Sequence, residues 1–89
     1  MSHHSYKSRG TLHIIEEKYS LELARGASVI ASTLSDASLL NAIDETLSAF
    51  CARYGRDDLE AFVLALAERL TQRNRPDAAD LVPAWRPST

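Results

Sequence analysis

Cysteine, proline, glycine and tryptophan are all scarce: one, three, three and one respectively in 89 residues. A lone Cys51 forms no intrachain disulfide, which excludes a disulfide-stapled secreted scaffold and makes a reducing, cytoplasmic setting the expectation. So little proline and glycine excludes a collagen-like or low-complexity chain. No apolar run approaches the ~18 residues of a membrane span. Behind Lys7 and Arg9 there is no apolar core of the kind that marks a secretory leader. An excess of one charge is missing as well: 10 basic residues face 12 acidic ones, for a net charge of −2, where a polyanion-binding domain is clearly basic.

Recognisable catalytic chemistry is equally sparse. Gly10, Gly26 and Gly55 are isolated, so no glycine-rich loop cradles a phosphate. No Gly-x-Ser-x-Gly elbow occurs. Asp44-Glu45 and Asp57-Asp58 put acids side by side, but neighbours along a helix do not converge on one point, so these read as solvated surface. Cys51 has no histidine or lysine within four residues to activate it and reads as a small, half-buried hydrophobe. His3, His4 and His13 lack the spacing and the companions of a metal site. Neither a metal nor a cofactor is expected, and the chain reads as a non-catalytic protein.

Helical periodicity is what the sequence does contain. Leu12, Ile15, Tyr19, Leu23, Ala27, Ile30 and Leu34 recur at steps of three and four and predict a helix over about 11–34. A period-two pattern competes there, because Tyr19, Leu21 and Leu23 alternate with polar or small residues and Leu12–Ile15 supplies a partner strand. The hairpin turn would then fall on Glu16-Glu17-Lys18, which has poor turn chemistry. Gly26 is a candidate break in the helix. Leu40, Ile43, Leu47, Phe50 and Tyr54 repeat at three and four residues and predict a second helix, with Ser35 or Asp36 as its N-cap and Gly55 as its stop. A third helix is expected over 57–74, from an Asp57/Glu60 variant of the capping box to Asn74 and Pro76, with Leu59, Phe62, Val63, Leu66 and Leu70 buried.

The short link between the last two helices favours antiparallel neighbours. The predicted fold is therefore all-α: a small bundle built on an antiparallel helical hairpin at about 36–74 plus the N-terminal helix, completed where necessary by dimerisation. Residues 1–10 read as a mobile arm, 11–76 as one helical domain and 77–89 as a proline-containing tail.

Size shapes the functional expectation. A chain this short buries only ~60–65% of its unfolded surface and is marginal without staples. One hairpin does not cover Tyr19, Leu40, Ile43, Leu47, Phe50 and Tyr54 together, so a third helix, a second copy or a client has to. With Trp85, whose large apolar ring stands in a proline-flanked stretch and either folds back on the bundle or anchors a partner, these are the candidate dimer or partner interface. Arg69, Arg73 and Arg75 cluster where the third helix ends. There they favour the helix dipole, and they are also candidate anion contacts. The expected function is a small helical protein–protein interaction module, acting as a regulator, adaptor, anti-activator or chaperone that binds a larger protein as a homodimer. The alternative is a nucleic-acid accessory protein using the arginine cluster and the Lys7/Arg9 arm. The acidic opening of the third helix, Asp57-Asp58-Leu59-Glu60, argues against groove insertion.

Overall fold

The computed structural model describes residues 14–87. It is all-α, with no strand among the described residues. Residues 14–18 are helical and pass through a turn at Tyr19 into helix α1, Ser20–Ala31. Helices α2 (Asp36–Tyr54), α3 (Leu59–Gln72) and α4 (Pro76–Leu81) follow, and a single 3₁₀ turn, Val82–Ala84, closes the order.

The ends of these helices follow from local chemistry. At the start of α2, Ser35 Oγ accepts from the Ser38 N–H at 3.1 Å and satisfies one of the four amides that a helix leaves open. Helix α2 stops at Gly55, whose φ of 82° and ψ of −164° belong to a region only glycine occupies without strain. Helix α3 ends in a Schellman motif: Arg75 N–H reaches Leu70 C=O at 2.9 Å and Asn74 N–H reaches Thr71 C=O at 3.0 Å, with Asn74 at φ 67°. Pro76 then opens α4 at a position where its missing N–H costs nothing.

The expected capping box at the head of α3 is not the cap that forms. Asp58, not Asp57, holds the N-cap position, and its side chain makes no cap hydrogen bond. Its carboxylate turns instead to Tyr19 and Lys18. Asp58 is thus engaged across the fold, where the sequence suggested a solvated acid.

Helix α3 is the centre of the packing, since it touches every other element, and α1 is the wedge beside it. Helix α1 lies against both α2 and α3, which touch each other less than either touches α1, while α3 packs on α4 and on the 3₁₀ turn. Leu23, Ala27 and Ile30 of α1, Ile43, Leu47 and Phe50 of α2, and Phe62, Leu66 and Leu70 of α3 interlock in one core. The period-3.6 reading of the N-terminal region therefore holds over the described residues. Gly26 does not break α1; it lies buried within it. The stretch read as a tail also joins the core, with Ala78, Ala79 and Val82 buried. The expected arm 1–10, like Leu12 and His13, lies outside the described residues.

Candidate functional site

An open groove runs between α1 and α2. Gly26 of α1 and Thr46 of α2 both line it, and a Cβ on Gly26 would sit 2.7 Å from Thr46 Cγ2, so a larger residue there forces a shift. Phe50 and Tyr54 wall one end, where the Tyr54 hydroxyl donates to the Glu22 carboxylate and ties α2 to α1. Because residue 22 meets residue 54 while 26 meets 46, the two helices run antiparallel. Val29 and Ala49 supply apolar edges, and the groove encloses about 240 Å³. Arg25, Glu45 and Arg53 join Glu22 on the rim, so both signs are present in equal number.

An aromatic cluster of Tyr19, at the head of α1, with Phe50 and Tyr54 of α2 and Phe62 of α3 supports this end. Phe50 stacks on Phe62 with ring centroids 4.0 Å apart, and Tyr19 meets Phe50 edge-on at 4.9 Å. Tyr54 also lies edge-on to Tyr19, at 4.9 Å. Such pairs add stability beyond the area they bury. The Tyr19 hydroxyl leaves this cluster to donate to Asp58 at 2.6 Å, and Lys18 Nζ donates to the same oxygen at 3.1 Å. The Tyr19 hydroxyl, and then the Lys18 ammonium, hold the Asp58 carboxyl below the usual carboxylate range. The Tyr54 hydroxyl does the same for Glu22.

The candidate interface residues divide in two. Tyr19, Ile43, Leu47 and Phe50 lie in the chain's own core at 3%, 2%, 0% and 3% exposure, because residues 14–31 cover the face of α2 that a lone hairpin would leave open. They are not available to a partner. Leu40 and Tyr54 remain on the surface. Trp85 packs half-buried on the same core, and its indole N–H donates to Asp44 Oδ1 at 3.0 Å.

The arginine cluster divides as well. Arg69 is half-buried in the last turn of α3, and Arg73 is exposed at its C-cap. Arg75 is occupied within the fold. Its Nη1 donates to Ala31 C=O at 2.9 Å and to Thr33 C=O at 3.0 Å, closing the C-terminus of α1. Its Nε and Nη2 grip the Asp77 carboxylate at 3.1 Å each. Four of its five N–H donors are thus spent within the fold, so Arg75 is a poor candidate for an external anion. It caps α1 rather than the helix that precedes it in sequence.

Cys51 is half-buried and shares a shallow depression with Ser48, Arg56 and Trp85. Among the described residues no group of three His, Cys, Asp or Glu is placed to hold a metal ion, and His3, His4 and His13 lie outside them. No helix among them is long and apolar enough to cross a membrane.

The groove itself escaped sequence reading. Its only trace there is the row Glu45, Ala49, Arg53, spaced four apart on α2, beside Gly26, which reads more simply as a helix break. Comparison with protein-family models, with curated proteins and with solved structures gives no match for this chain.

Proposed function

We propose that this chain is a small non-catalytic helical module that binds another protein through the α1/α2 groove, in the manner of a regulator, adaptor, anti-activator or chaperone. The observation that carries the reading is the groove: an apolar trough between two helices, rimmed by Glu22, Arg25, Glu45 and Arg53, on a core with no unsatisfied buried side-chain polar atom among the described residues. A trough between helices with a charged rim is the geometry that accepts an amphipathic helix. A non-catalytic role is supported by the use made of Asp58, Glu22 and Asp77, each engaged by a hydrogen bond that ties the fold together.

The test is a groove-filling substitution. Ala49→Trp should leave the circular dichroism spectrum and melting cooperativity intact, since Ala49 is exposed, yet abolish retention of the protein partner recovered with the wild-type chain. Equal recovery by the two proteins rejects the groove as the binding surface.

A further inference from the structure

We propose that the α1/α2 face is where a second copy of this chain docks, about a two-fold axis that crosses both helices at right angles. This deepens the interaction-module reading and rests on it, by naming an occupant. Two parallel rows make up the face. On α1, Leu21, Arg25 and Val29 stand four residues apart on one exposed flank. On α2, Glu45, Ala49 and Arg53 do the same. All six are exposed, and Leu21 and Val29 show 62% and 47% of their surfaces to solvent.

The order of residues within each row selects the partner. A two-fold interface brings residue i against residue j and j against i. With the axis over Ala49, an antiparallel α2–α2 contact sets Glu45 of one copy against Arg53 of the other, twice, with the small Ala49 side chains meeting at the centre. The same operation lays Leu21 of one α1 on Val29 of the other, again twice. Each pairing is complementary: acid to arginine, aliphatic to aliphatic. Within one chain Glu45 and Arg53 are eight residues apart on a helix, about 12 Å, too far to pair with each other. Two acids and two arginines on the rim sum to no net charge, which suits a self-complementary surface better than a strongly acidic or basic partner. Arg25 falls beside its own symmetry mate, the one like-charged meeting. Glu22 tempers it, since Arg25 and Arg53 both act electrostatically on that carboxylate.

Sedimentation equilibrium on the full chain, from about 1 to 500 μM at low salt, tests the proposal. A reversible monomer–dimer equilibrium is expected. Glu45→Arg and Arg53→Glu should each weaken it on the order of tenfold or more, by opposing like charges. The exchanged double variant E45R/R53E should recover wild-type association to within about threefold, because the pairing is restored with its sign reversed. Arg25→Leu should tighten the dimer. All these positions are exposed, and each variant should keep the wild-type circular dichroism spectrum. A wild-type chain that stays monomeric over the whole range overturns the proposal, as do single reversals without effect or a double variant that fails to recover. Should the chain be monomeric while Ala49→Trp still abolishes capture of an unrelated protein, the second copy is rejected as occupant and the interaction-module reading stands. Should the chain dimerise as described while no other protein is retained, the dimer stands and the wider reading falls.

Discussion

The Tyr19 hydroxyl donates to the Asp58 carboxylate at 2.6 Å, joining residues 39 apart in the chain. The bond fastens the lead-in to α1 onto the first turn of α3, and the Tyr19 ring beneath it is sealed among Phe50, Tyr54 and Phe62. Ring and hydroxyl should separate experimentally. Tyr19→Ala opens a cavity in the aromatic cluster and should cost ~3–5 kcal/mol in chemical denaturation. Tyr19→Phe keeps the ring and should cost a small part of that. The deficit of Tyr19→Phe should vanish below the titration of Asp58, where a protonated carboxyl no longer accepts the bond as an anion; a deficit independent of pH would show that the bond is not the cause.

Stability should be level between about pH 5 and pH 9.5 and fall on both sides. The Tyr19 hydroxyl holds the Asp58 carboxyl down, the Tyr54 hydroxyl does so for Glu22, and the Arg75 guanidinium for Asp77. Each is lower in the folded chain than in the unfolded one. Their contributions are therefore complete above the unfolded carboxylate range and disappear as pH drops through the folded values. Tyr19, Tyr54 and Lys18 move the other way, raised chiefly by the carboxylates they donate to. Their contributions are complete below the unfolded values and fade as pH climbs through the folded ones. Melting temperature measured across pH 3–11 reads this directly, and a Tm rising toward pH 3 contradicts it.

Gly26→Ala should destabilise the chain although alanine is the better helix former. Helix propensity favours the change by about 1 kcal/mol. The new methyl group, however, would lie 2.7 Å from Thr46 Cγ2, so one of the two side chains has to shift. Overpacking of this kind costs ~1–3 kcal/mol, so a net loss is expected. Thr46→Ser removes the offending methyl. In that background Gly26→Ala should become neutral or stabilising, and a double-mutant cycle without coupling would refute the contact.

Arg75→Lys should loosen the end of α1 despite preserving charge. A single ammonium does not reproduce a planar fork that closes two carbonyls with one edge and grips a carboxylate with the other. Amide exchange should accelerate at Ser32 and Thr33, whose N–H groups bond to Ser28 C=O and Ile30 C=O, while Leu47 and Leu66 in the core stay protected. Unchanged exchange at both sites would dismiss the capping role.

Much of the local structure was legible in sequence because short-range chemistry sets it. The steps of three and four through Leu40, Ile43, Leu47 and Phe50 mark the inner side of α2. Ser35, Gly55 and Asn74 mark helix ends because each meets a backbone requirement within a few residues. What escaped depends on partners far along the chain. Asp58 reads as a solvated acid from sequence, since its donor, Tyr19, stands 39 residues away at the head of α1. Arg75 looked like a cation closing its own helix and instead closes α1. Gly26 looked like a break because nothing local reveals Thr46 across the crossing. Surplus apolar surface on one hairpin does not reveal that residues 14–31 cover Tyr19, Ile43, Leu47 and Phe50. Residues 78–82 carry too short a pattern to announce that Ala78, Ala79 and Val82 complete the core.

Trp85 is the only tryptophan in the chain. It rests half-buried where the 3₁₀ turn meets the core and is tethered to Asp44, while Tyr19 and Tyr54 share the aromatic cluster. Indole emission therefore watches the seating of the last helical turns, and tyrosine ellipticity in the near ultraviolet watches the seating of the first. The molecule carries two intrinsic optical reporters on different joints, so partial detachment at one can be told from wholesale melting without an added label.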